Sequence, residues 1–137
     1  MIIRHANTAR VAPGKASQFT GIASGDSILP ATDGVIINTV TFSPGARTHW
    51  HTHEHGQILH VQAGYGLICT AGLAPEPIRT GDWIWIPPGE RHWHGAGPDS
   101  YLTHTAISLG ATNWAEEVTA AEYESAPAPA KDTDDDN

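Results

Sequence analysis

The chain has 137 residues, 39% hydrophobic and 16% charged, which suffices for one compact core and is too short for two ordinary domains. Fifteen acidic residues against seven basic ones leave a formal charge of -8, which argues against nucleic acid as a partner, since phosphate contacts need clustered Lys and Arg. Cys69 has no second cysteine to pair with, the start Met1-Ile2-Ile3-Arg4-His5 has no signal-peptide core, and no apolar run approaches the ~20 residues that span a bilayer. A protein of the reducing cytoplasm, with no membrane partner, is expected.

The first clear strand signal is the β-branched run Val35–Phe42, in which Ile36, Asn38, Val40 and Phe42 share one face. Ser43-Pro44-Gly45 ends it. His51 and His53 follow; residues two apart in extended chain project to the same side, so they form a two-toothed clamp with Thr52 turned away. Gln57, after the Glu54-His55-Gly56 bend, opens a run over 57–62, and Ala63-Gly64 separates this from a run over 65–70. Asp82-Trp83-Ile84-Trp85-Ile86 is bulky throughout and lacks a helical period, as expected of a strand buried on both faces or packed at a subunit contact. Pro87-Pro88-Gly89 then leads to His92 and His94, which share parity. A last strand covers 101–109 and carries His104 and Ser108; neither face of it is clearly apolar, so its parity stays open. Many short strands between Pro/Gly turns indicate an all-β sandwich or barrel.

Two capping-box patterns come next, Asn113 with Glu116 and Thr119 with Glu122, so one or two short helical turns should close the domain at residue 124. Residues 125–137 have no large apolar side chain, alternate proline and end in four aspartates, which reads as a disordered acidic tail. The tail carries four Asp and one Lys, so the body of the chain still has a charge of about -5.

Nine histidines against one methionine is the odd feature of the composition. Two glycine-bounded blocks organise them: Gly45-x5-His51-x-His53-x3-Gln57-x6-Gly64, and Gly81-x5-Pro87-x-Gly89-x2-His92. Three imidazoles and one amide carbonyl converging on a point suit a divalent cation such as manganese, iron, nickel or zinc. All four donors are neutral, so the ion would keep its full charge, which favours Lewis-acid chemistry without excluding oxygen activation. An imidazole near such an ion but not bound to it suits a general base, and His94 or His104 could serve. Ile36, Asn38, Val40 and Ser108 would line a small, mostly apolar substrate pocket if they face inward. His55 reads as a rim residue, His5, His49 and His60 as outside the site, and Trp50, Trp83, Trp85 and Trp93 as packing or subunit-contact residues.

The two blocks resemble the paired motifs of the cupin superfamily, small jelly-roll β-barrels. Gln57 stands where a glutamate is usual, and Ala96 stands where an asparagine usually closes the second motif. Over roughly residues 17–124, the stretches 42–53, Gly56-Gln57, 88–96, Thr103-His104 and 114–119 with Glu122-Tyr123 are similar to the bacterial manganese-dependent cupin hydroxynitrile lyases. That resemblance implies Mn²⁺ on His51, His53, Gln57 and His92, and His94 and His104 as neighbours of the metal. It further implies reversible cleavage of a cyanohydrin to aldehyde and cyanide, and a homodimer or homotetramer. A cupin dioxygenase on the same ligands and a non-catalytic small-ligand-binding cupin are the competing expectations.

Overall fold

The computed structural model describes residues 1–6 and 10–125; the expected acidic tail, beyond Ser125, lies outside the described residues. Among the described residues there are twelve strands: β1 (Val11–Pro13), β2 (Phe19–Thr20), β3 (Ala23–Thr32), β4 (Val35–Phe42), β5 (Arg47–Thr48), β6 (His51–His53), β7 (Gln57–Thr70), β8 (Glu76–Arg79), β9 (Trp83–Ile86), β10 (His92–Ala96), β11 (Leu102–Leu109) and β12 (Thr112–Trp114). One short helix, α1 (Ala120–Glu124), closes the described chain. Every strand pairing is antiparallel.

Two curled sheets share β7. One runs β1-β3-β4-β11-β7-β9; in the other, β10 pairs with β7, β5 and β6, while β8 adds to β7, β2 to β5 and β12 to β6. The two separate runs expected on either side of Ala63-Gly64 are therefore one strand. Residues 57–64 pair with β11, and residues 66–70 pair with β10. Gly64 makes the transfer: it has φ +83°, and a Cβ there would collide with the backbone of Tyr101. Only glycine fits such a bend.

β3 gives little sequence signal, because Ala-Ser-Gly-Asp-Ser-Ile-Leu-Pro-Ala-Thr has no clean alternation. It pairs with β4 through the turn Asp33-Gly34, whose φ values of 50° and 81° match a two-residue hairpin of the primed type. Two register shifts, between Ser27 and Leu29 and between Leu29 and Thr32, take up Pro30.

Between the sheets lie Phe42, Val61, Leu102, Leu59 and Ile86, all 2% exposed or less. A second cluster, with Trp50, Leu67, Trp93, Val118 and Tyr123, sits under the C-terminal segment. Trp50 and Trp93 are thus packing residues, whereas Trp83 and Trp85 stand outward at 67% and 55% exposure. β9 is therefore buried on one face, not both: Ile84 and Ile86 turn inward.

Of the two expected capping boxes, only the second forms. Thr119 Oγ1 accepts from the Glu122 amide at 3.1 Å, and Glu122 Oε1 accepts from the Thr119 amide at 2.9 Å. At Asn113 the local signal is overridden, because Thr112–Trp114 adds as a strand to the edge of β6. Tyr123 anchors the helix by donating from its hydroxyl to the Ala96 carbonyl at 2.7 Å. Thr119→Ala removes one bond of the box and leaves the Glu122 amide without its cap. The expected loss is about 1 kcal/mol, a fall of roughly 4 °C in the thermal midpoint, read by scanning calorimetry.

Candidate metal centre

His51 and His53 leave β6 toward the barrel interior, at 1% and 2% exposure, while Thr52 between them is half-buried. His92, the first residue of β10, is the direct cross-strand partner of His51. Ring centroids are 4.2 Å apart for His51 and His92, 5.0 Å for His51 and His53, and 5.4 Å for His53 and His92. One ring nitrogen from each lies within 4.8 Å of the others.

Hydrogen bonds orient the rings. His51 Nδ1 donates to the His49 carbonyl at 2.8 Å, and His92 Nδ1 donates to the Glu90 carbonyl at 2.9 Å. A carbonyl only accepts, so the proton sits on Nδ1 and Nε2 keeps its lone pair. His53 Nδ1 meets Thr112 Oγ1 at 3.1 Å, and its buried Nε2 has no hydrogen-bond partner among the described residues. Gln57, at the start of β7, donates its amide to Ser108 Oγ at 3.0 Å, which turns Oε1 to within 3.3 Å of His92 Nε2. Two acceptors therefore face each other in a buried site, an arrangement that a cation between them stabilises. These four side chains fit a divalent ion.

The electrostatics point the same way. Burial, then the nearby His92, holds His51 well below the ordinary imidazole value. Burial followed by His92 lowers His53 to about 4, and burial lowers His92 against a partial offset from Glu90. The rings are neutral near pH 7, the form that ligates metal.

Beside this cluster lies a second pair. His94 shares the inward face of β10 with His92, and β11 turns His104 inward, resolving the parity that its sequence leaves open. His104 Nε2 and His94 Nδ1 are 2.9 Å apart. His94 is adjacent to the cluster, with centroids 5.2 Å from His51 and 5.6 Å from His92, whereas His104 packs edge-on against Phe42 at 5.2 Å. Burial, then His104, holds His94 well below the usual range, and burial lowers His104 to about 4. The outer nitrogens, His94 Nε2 and His104 Nδ1, are buried with no hydrogen-bond partner among the described residues. The backbone of His104 favours a proton on its own ring. A proton on Nδ1 leaves Nε2 to accept from His94 Nδ1, and His94 Nε2 then presents a lone pair.

A cavity of about 640 Å³ opens onto these groups, lined by His51, His53, Gln57, His94 and His104; His92 stands outside its wall. Ile36, Asn38, Val40 and Ser108 line it too. Phe19, Trp114, Thr48 and Thr112, which the sequence reading did not single out, also contribute, as does much of the segment 10–19. Trp114 lies on the His51 ring at 4.5 Å and near Phe19 at 6.2 Å, and Phe19 meets Phe42 at 5.8 Å, forming an aromatic wall. Thr48 Oγ1 accepts from the His94 amide at 3.2 Å and so ties the middle of β10 to β5. His55 is exposed in the bend, paired with Glu54 at 3.8 Å; His60 lies on the outer sheet face; His49 is buried but does not line the cavity.

Five buried neutral histidines make the metal-free protein acid-sensitive. For His53 and His104, the folded-state value near 4 lies below the unfolded 6.5, so the unfolded chain takes up protons first as pH falls. Their contribution is fully present above pH ~6.5 and is lost toward pH ~4, at about 1.4 kcal/mol per pH unit for each ring. Urea unfolding of chelator-treated protein should show stability lower by roughly 4 kcal/mol at pH 5 than at pH 7.5. A flat profile would contradict this.

The fold and site together define a small two-sheet β-barrel with a histidine cluster able to hold a divalent ion at the base of a cavity. Residues 38–103 match the cupin domain model, and over 90% of its length the chain is 43% identical to an (R)-mandelonitrile lyase of Granulicella tundricola, covering 98% of that protein. The chain belongs to the cupin family. A cupin-like protein of Thermotoga maritima superimposes with a TM-score of 0.83 at 36% identity, over 93% of this chain and all of the other. The polyketide cyclase RemF of Streptomyces resistomycificus, at 19% identity and a TM-score of 0.66 over 90% of this chain and 91% of its own, shares the fold alone.

Proposed function

We propose that this chain is a manganese-dependent hydroxynitrile lyase that cleaves a cyanohydrin reversibly to an aldehyde and cyanide. The observation that carries the reading is the 2.9 Å His94–His104 pair set beside His51 in the same cavity, with His92 packed against His94. The 43% identical relative named as a mandelonitrile lyase supports it. A divalent ion held by His51, His53, Gln57 and His92 supplies Lewis-acid polarisation.

The residues of the chain supply the rest. Phe19, Phe42 and Trp114 offer aromatic surface to an aryl group, with Val40 and Ile36 beside them. His94 Nε2 takes the proton of the cyanohydrin hydroxyl as the carbon–carbon bond breaks, and cyanide leaves with the bonding electrons. Burial disfavours the imidazolium, so the proton passes on to cyanide and the neutral ring is restored. His104 holds the reactive tautomer of His94. Asn38 and Ser108 add polar contacts to the cavity lining, Ser108 already accepting from the Gln57 amide.

Purified protein loaded separately with manganese and with iron tests this. Mandelonitrile cleavage without oxygen consumption is the expected result. Oxygen uptake with a catechol or flavonol and no cleavage would assign a dioxygenase instead; no turnover in either assay would leave a binding protein.

A further inference from the structure

We propose that the substrate of this cavity carries a carboxylate remote from its reacting carbon, held at the β1 edge by Arg10 with Asn38 and Ser27 in line with it. The inference rests on the lyase reading for the reacting end of the molecule and adds what recognises the other end. A carboxyl-substituted aryl aldehyde, or its cyanohydrin, is the class of compound it selects.

The cavity runs against the charge of the chain. Fifteen Asp and Glu stand against seven Lys and Arg, yet the described residues that line the cavity include Arg10 and Lys15 and no Asp or Glu. An uncharged aldehyde or cyanohydrin gains nothing from either cation, whereas an anionic substrate is drawn to both.

Arg10 is fixed in place and left with donors to spare. Its Nε donates to the Ser27 carbonyl at 2.9 Å and lies 3.3 Å from Asp26 Oδ1. Those contacts use one of the five N–H groups of a guanidinium. The four on Nη1 and Nη2 have no partner among the described residues, although the side chain is only 21% exposed. Asp26 itself does not line the cavity, so it steadies Arg10 from behind. The two terminal nitrogens form the edge that meets both oxygens of a carboxylate in parallel.

The sheet sets further polar groups in the same row. Val11 pairs with Asp26, so Arg10 falls level with Ser27; Ser27 pairs with Asn38, and Asn38 with Ala106. All four line the cavity. At about 4.8 Å between strands, Asn38 stands about 10 Å along the sheet from the Arg10 backbone. Ala106 lies between His104 and Ser108 on β11, so the row leads from Arg10 to the reacting groups. The Asn38 side chain is half-buried and makes no hydrogen bond among the described residues. An amide so placed costs stability unless something in the cavity accepts from it, and a carboxylate does.

Isothermal titration of the purified full chain with para-(hydroxymethyl)benzoate and with the uncharged para-(hydroxymethyl)benzamide tests the subsite without turnover. Wild type should bind the carboxylate at least about tenfold more tightly, and Arg10→Met should abolish the preference. Equal binding by wild type would overturn the proposal, as would a preference that survives in Arg10→Met, which would put the carboxylate on the histidine cluster. Because Arg10 also ties β1 to β3, Asn38→Leu serves as a second variant and should lower the preference in the same direction. Arg91→Met, outside the cavity lining, should leave it as in wild type. Cleavage of the two matching cyanohydrins should show the same ratio in kcat/KM and the same collapse in Arg10→Met; an equal fall for both would assign Arg10 to the departing cyanide and overturn the subsite. Binding that prefers the carboxylate through Arg10 while neither cyanohydrin is cleaved would sink the lyase reading alone. Cleavage of both alike, with no preference in binding, would sink the subsite alone.

Discussion

His92→Ala is expected to cost the protein its divalent ion and to lower mandelonitrile cleavage by at least about a thousandfold, or ~4 kcal/mol of barrier. In the proposed ligand set, His92 brings from β10 the donor that closes what His51 and His53 on β6 and Gln57 on β7 begin. Without it the two β6 histidines and the amide remain, and no donor is left on the opposite strand. Metal content by elemental analysis and turnover by aldehyde release should fall together, while circular dichroism keeps its strand signature. Gln57→Glu separates charge from ligation. A carboxylate there still offers an oxygen, so metal should be retained. It neutralises one unit of the ion's charge and gives up the donation to Ser108 Oγ, so turnover should fall about tenfold or more. Equal turnover by Gln57→Glu would show that the neutral ligand set has no part in the chemistry.

The clamp was readable because its signal is local. His51 and His53 are two apart, extended chain puts them on one face, and the fold needs only to bring up β10 at the right register. The barrel was readable for a similar reason, since Pro/Gly breaks separate β-branched runs. What stayed hidden depends on partners far along the chain. β11 reads as polar on both faces because Thr103 and Thr105 alternate with His104; only pairing with β4 shows that the threonines satisfy each other outside and the histidine lies inside. β3 escapes notice because its glycine, serines and proline carry no periodicity, and its register is set by β4. Trp114 sits in a convincing local helix-start pattern, yet the free edge of β6 captures it as a strand and so delivers its ring to His51. Phe19 reaches the cavity only because β2 pairs with β5, a contact that no short-range pattern announces.

His104→Ala should behave in the opposite way to His92→Ala, retaining near wild-type metal while losing about a hundred- to ten-thousandfold in turnover, the range of a general acid–base contribution. His104 does not join the three-histidine cluster; it touches His94, which does adjoin that cluster. Removing it leaves His94 Nδ1 buried with no acceptor, so the tautomer that presents a lone pair at Nε2 loses its support. His94→Ala removes the proton acceptor itself and should lose at least as much. Because the two rings act through one hydrogen bond, the double variant should be scarcely worse than His94→Ala alone. His104→Gln, whose side-chain carbonyl can accept from His94 Nδ1, should recover part of the loss. Losses that multiply in the double variant would give the two histidines independent roles, and loss of metal in step with activity would make His104 a ligand.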